Sequence, residues 1–179
     1  MNKDYSWLNR RYDRSVNQLR LWDENPRLDP SDSYIYLRDF IEGMLIKEAD
    51  KTSFIDLAQS IVEKSFIPAD PIVVWQNREN NRFYVAEGNR RVAVLKLLLD
   101  PTKAPKSIKR SMELLSKKIK PSLIEKIPVA IAPSFEDAIW YINQRHTPSS
   151  NQKKWVRENY LKWIGDLYEK FNKDIEVIK

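Results

Sequence analysis

The chain has no cysteine, one histidine and only three glycines in 179 residues. Without cysteine there is no disulfide, no thiolate metal ligand and no thiol nucleophile. With His146 as the single imidazole, the usual zinc sites and a Ser-His-Asp triad would both have to centre on one ring, which argues against them. No apolar run approaches the ~18 residues of a membrane span, and the opening "MNKDYSWLNRRYDRS" lacks the apolar core of a signal peptide, so a cytoplasmic location is expected. Catalysis, if any, has to draw on carboxylates, lysine, arginine or a bound ion such as magnesium.

Large apolar side chains are plentiful. Hydrophobic residues make up 42%, with six Trp, eight Tyr and six Phe, enough to bury a real core in one compact domain. Lys and Arg number 31 against 25 Asp and Glu, for a formal charge of +6, a modest bias towards anionic partners.

Periodicity orders the elements. Trp7, Leu8, Tyr12, Val16 and Leu19 predict a helix over 4–20, followed by a brief strand at Leu19, Leu21 and Trp22. Residues 33–48 carry a broad apolar stripe and predict a helix; a second begins near Ser53 with "FIDLAQSIVEKS". "PIVVWQ" and "RFYVAE", separated by the polar turn "NRENN", predict a hairpin. Residues 90–99, with Asn89 as cap and Pro101 as stop, predict a buried helix. "IKRSMELLSKKI" predicts an amphipathic helix, "IPVAIA" a buried strand, and "SFEDAIWYINQRH" a helix capped by Ser134. "SNQKKWVRENYLKWIGDLYEKF" closes the chain as a long amphipathic helix whose stripe, Trp155 to Phe171, is core or a docking surface for a further domain or second subunit. A longer parent protein is therefore expected, with 1–150 as one domain and 151–179 as a helix leading out of it.

One stretch joins chemistry to this frame. In "EGNRRV", residues 87–92, Gly88 and Asn89 stand between a strand and a helix, followed by Arg90 and Arg91. Glycine permits positive φ and lets a ligand approach main-chain N–H groups. Those N–H groups and the helix dipole attract an anion, and arginines in the first helical turn, otherwise unfavourable there, add forked donors for it.

The segments "LWDENPR", "FIDLAQSIVEKSFIPADPIVVW", "FYVAEGNRRVAVLKLL", "IPVAIA" and "NQRHTPSSNQKKW" resemble, in order and rough spacing, the amino-terminal domain of ParB-type partition proteins and the wider ParB and sulfiredoxin superfamily. The resemblance covers about residues 19–160, with apparent insertions at 31–50 and 102–126. It implies an α/β fold, a small mixed sheet flanked by helices. It also implies a nucleoside triphosphate, CTP or ATP, with magnesium. By resemblance Gly88, Asn89, Arg90 and Arg91 line the phosphate site, and Arg27 of "NPR" together with Gln144 and Arg145 complete it. Sulfiredoxin's cysteine corresponds to Asn89, so sulfinic acid reduction is excluded.

Glu87 is a candidate magnesium ligand and catalytic carboxylate, and His146 a candidate for phosphate contact or proton transfer. The segment 102–126 holds eight Lys or Arg against Glu113 and Glu125, and so offers a basic face to DNA. Two functions are expected: a nucleotide-dependent switch in a DNA-associated protein, with or without NTP hydrolysis, or a metal-dependent nuclease of a plasmid, phage or defence system. A homodimer through the last helix fits either.

Overall fold

The computed structural model describes residues 4–22, 28, 34–146 and 157–170, without the side chains of 146, 157–160 and 170. The central strand is Ile72–Gln76 (β3), whose β-branched residues suit a pleated, buried surface. It forms the predicted hairpin with Phe83–Glu87 (β4), Trp75 opposite Tyr84. On its other side lies Lys126–Ala132 (β5), parallel, with Val73 opposite Ala130.

Alternation along β3 divides the core in two. Ile72 and Val74 point into a cluster with Val16, Leu19, Phe54, Leu95 and Met112, while Val73 and Trp75 point into another with Trp7, Trp22, Ile139, Trp163 and Leu167. The first face is covered by Leu37–Met44 (α1), Glu48–Lys64 (α2), Asn89–Leu99 (α3) and Lys109–Ser116 (α4); the second by Phe135–His146 (α5) and Arg157–Lys170 (α6). Buried on both faces, β3 reads as the continuous apolar run "IVVW" rather than as alternating polar and apolar residues. The fold is mixed α/β, as expected.

The amino terminus departs from expectation. In place of a helix over 4–20 there is a 3-10 turn at Ser6–Asn9, a strand at Tyr12–Ser15 (β1), a second 3-10 turn at Val16–Gln18 and a strand at Leu19–Leu21 (β2). Pairing overrides the helical spacing: β1 runs antiparallel to β5, Tyr12 opposite Val129, and β2 runs parallel to β4, Leu19 opposite Phe83. The sheet order is β1-β5-β3-β4-β2, so two strands adjacent in sequence form its opposite edges. From Ser15 to Leu19 the chain can reach at most about 15 Å, whereas the edges of a flat five-stranded sheet stand about 19 Å apart. The sheet is therefore curled. Val16, fully buried at the crossover, donates its N–H to the Glu125 carbonyl (2.9 Å) and accepts from Lys96 Nζ (2.8 Å).

The helices over 33–64 also have shifted boundaries. The Tyr36 N–H bonds to Asp39 Oδ2 at 2.9 Å, so α1 begins at Leu37, and Leu45 leaves the helical region. Lys47 is extended, and α2 starts at Glu48, not near Ser53, with Glu48 and Asp50 in its first turn where the dipole favours them. Ser134 does cap α5, accepting from the Asp137 N–H at 3.2 Å and donating to Asp137 Oδ2 at 2.9 Å. The last helix is described from 157 onward, so Trp155, Val156 and Phe171 of its predicted stripe lie outside the described residues. No helix among the described residues is long and apolar enough to cross a membrane.

Candidate functional site

Strand β4 ends in an irregularity. Val74 faces Val85 and Val73 faces Glu87, so Ala86 is an extra residue that changes the phase of the strand just before the turn. Gly88 follows with φ 96° and ψ 16°, in the left-handed region, and α3 starts at Asn89. A Cβ at 88 would collide with Ile72 Cδ1 and lie 3.2 Å from Arg91 Nη2. The Arg91 head therefore lies directly against the bare Cα of the turn, and Gly88 is needed both for its backbone angle and for this approach.

Among the described residues, two polar side chains are buried, Glu87 at 9% exposure and Asn89 at 5%, and they flank Gly88. A buried polar group is informative because it must be satisfied. Asn89 Nδ2 donates to the carbonyls of Val85 (2.9 Å) and Ala86 (3.4 Å), and its Oδ1 accepts from the Trp22 N–H at 3.2 Å. Asn89 thus does not cap α3, as its position before the helix suggested. It ties the turn to the end of β4 and to the exit of β2, where "WDENPR" begins.

The two arginines diverge. Arg90 Nη2 donates to the Asp50 carbonyl at 2.7 Å, its guanidinium 5.9 Å from the Phe54 ring, on the α2 side. Arg91 donates to the main-chain carbonyls of Asp70 and Pro71. The carboxylate of Asp70 meets Arg145 from α5, with Nη2 to Oδ2 at 3.0 Å and Nη1 to Oδ1 at 3.4 Å. Arg145 Nη1 also donates to Tyr141 Oη at 3.2 Å, one helical turn back.

These groups form one electrostatic unit. Burial lowers the Arg91 pKa, partly offset by the charges of Glu87 and Asp70, while Arg145 lowers it further. Burial would lower Arg145 too, but Tyr141, Asp70 and Glu87 outweigh it and hold the pKa above its usual value. Burial raises Tyr141, against the pull of Arg145 and with added pushes from Glu87 and Asp70. Two guanidinium groups and two carboxylates therefore act on one another beside the left-handed glycine.

Of the residues singled out from sequence, the fold brings together Glu87, Gly88, Asn89, Arg91 and Arg145, and turns Arg90 towards α2. Gln144 sits exposed on α5 next to Arg145. Arg27 and the side chain of His146 lie outside the described residues. Sequence reading missed Asp70 and the part played by Tyr141. Asp70 carries no local signal beyond its place before Pro71, and Tyr141 is legible only as the residue one turn before Arg145 on a helix. No group of three or more His, Asp or Glu gathers among the described residues to hold a metal ion.

No protein-family model matches the chain, and no curated protein does. Among solved structures it is similar to the C-terminally truncated chromosome-partitioning protein ParB from Caulobacter crescentus, crystallised with CTP-gamma-S. That match has 15% identity and a TM-score of 0.42, and covers 94% of this chain and 68% of that one.

Proposed function

We propose that this chain is a nucleotide-binding domain of the ParB type, in which a nucleoside triphosphate, CTP or ATP, sets its phosphates at the Gly88 turn and so controls a DNA-associated protein. One observation carries the reading: a left-handed glycine lies under the Arg91 guanidinium at the start of a buried helix, between the two buried polar residues. The N–H groups of Asn89, Arg90 and Arg91 open α3 and have no acceptor within it. They stand at the positive end of the dipole, where phosphate oxygens are favoured.

Arg91 and Arg145 supply the forked donors that phosphate geometry matches. Arg145 holds the Asp70 carboxylate, and a phosphate takes its place by exchanging one anion for another. Gln144 and Arg27 belong to the same site on the resemblance alone, and His146 on its place in the sequence next to Arg145. Magnesium, when bound, neutralises phosphate charge; it keeps several phosphate and water ligands and needs only one or two carboxylates, which fits a turn offering Glu87 rather than a dedicated cage. Coupling outward follows a line of contacts: Asn89 holds the Trp22 main chain, and the Trp22 ring meets Trp163 of α6 at 5.1 Å. A ligand that reshapes the turn therefore bears on the last helix.

Calorimetry with CTP, ATP and GTP in magnesium tests this. Binding of at least one is expected, weakened about ten-fold or more by Arg91→Ala, since charge-assisted hydrogen bonds contribute about 1.5–3 kcal/mol each. Asp70→Asn releases Arg145 and should tighten binding by up to about five-fold, the scale of a partly exposed ion pair. No binding of any nucleotide, or unchanged affinity in Arg91→Ala, overturns the reading.

A further inference from the structure

We propose that the cleft between β2, α1 and the carboxyl end of α3 is a second site, separate from the Gly88 turn, for a small phosphorylated molecule with an apolar or planar body. The cleft has a volume of about 710 Å³, within the ~300–1,000 Å³ of small-molecule sites. Buried Leu19 and Phe40 and half-buried Leu99 are among its lining residues, together with Tyr34 and Tyr36 from the segment that reads as an insertion.

Four cationic side chains line it: Arg20 from β2, Arg38 from α1, Lys96 from α3, and Lys103 from the 3-10 turn Pro101–Lys103. The two carboxylates in the lining are engaged locally. Asp39 accepts from the Tyr36 N–H, and Asp100 accepts from Thr102 and pairs with Lys103 at 3.0 Å. Lys96 is the centre of the cluster. It gives one donor to the Val16 carbonyl, out of the three an ammonium carries. Burial, then the nearby charges of Arg20 and Lys103, push its pKa down to about 8.

Like charges are thus crowded around a half-buried ammonium. A phosphate dianion relieves that repulsion and takes up the donors; a neutral ligand does neither. Forked guanidinium donors together with point-charge lysines suit phosphate, while the apolar side chains and tyrosines of the lining suit a hydrophobic or ring-bearing body.

Nuclear magnetic resonance of the full chain, titrated with phenyl phosphate and inorganic pyrophosphate, tests this. Shifts are expected at Leu19–Leu21, Leu37, Lys96 and Lys103. Replacing two of the three exposed cations, Arg20→Gln with Lys103→Gln, should weaken binding roughly a hundred-fold, about ten-fold for each charge-assisted contact. Arg91→Ala should leave these shifts unchanged, which separates the cleft from the turn.

An anion beside Lys96 raises its pKa, so binding near pH 8 takes up protons. With phenyl phosphate, already a dianion at this pH, the heat of binding then varies with the ionisation enthalpy of the buffer in the wild type but not in Lys96→Met. The groups around Lys96 are Arg20 on β2, Tyr34, Tyr36, Arg38 and Asp39 at α1, and Asp100 and Lys103 after α3. Shifts confined to Gly88 and Arg91, equal affinity in the double variant, or no proton uptake in the wild type would each overturn the proposal. So would a cleft that responds to duplex DNA and to neither small phosphate.

Discussion

Gly88 and Asn89 show how two adjacent residues divide one task. The glycine takes a backbone angle that a side chain resists, and the asparagine fastens the start of α3 to the ends of β4 and β2. Replacing Gly88 with alanine should lower stability by about 1–2 kcal/mol from the left-handed angle alone. The encounter with Ile72 Cδ1 adds little if that flexible end moves aside. Urea unfolding monitored by tryptophan fluorescence measures the loss; an unchanged midpoint would show that the backbone relaxes out of the left-handed region. At this scale much was legible: a scarce glycine between a strand and a helix predicts positive φ, and Gly88 has it. Asp70 was not legible. It reaches Arg145 across 75 residues of sequence, and only the packed fold creates that neighbourhood.

Elements obey the same division between local and distant causes. The helices α2, α3 and α5, the β3–β4 hairpin and β5 are readable because apolar spacing and turn residues lie within each segment, while of the predicted caps Ser134 of α5 holds and Ser53 and Asn89 do not. Strand β1 has its partner more than a hundred residues away in Val129 and its neighbours, so its helix-like spacing misleads. Helix α6 is the element on which packing and the proposed switch would meet. Trp163 is 5% exposed, lies edge-on to Trp22, and donates from Nε1 to Asn143 Oδ1 at 3.4 Å. Trp163→Ala should cost about 3–5 kcal/mol, the usual range for a large aromatic truncated in a core. If α6 reports on the turn, a milder Trp163→Phe change should also alter nucleotide affinity by a few-fold while the protein stays folded. Calorimetry on that variant decides, and equal affinity would disconnect the helix from the turn.

For the whole molecule the relevant quantity is where its charge lies. The formal charge is +6, and the eight Lys and Arg of 102–126 are all exposed, while Ile108, Met112, Leu115 and Ile119 of the same stretch are buried. That amphipathic division was legible because it is periodic; whether the exposed face meets DNA is a property of a complex. If it does, the logarithm of affinity should fall linearly with the logarithm of salt, and the slope should become shallower by about 0.9 for each DNA phosphate that a variant no longer neutralises. Lys117→Glu with Lys118→Glu should flatten that slope in fluorescence anisotropy with duplex DNA; an unchanged slope assigns the DNA-binding face elsewhere. The crossover at Val16–Gln18 carries a mechanical consequence for the same molecule. One short length of chain acts as a hoop, fastened at Val16 to Glu125 and Lys96, and it holds both margins of the sheet. A nick there would free the two margins together, so the barrel-like curl opens as a unit rather than fraying strand by strand.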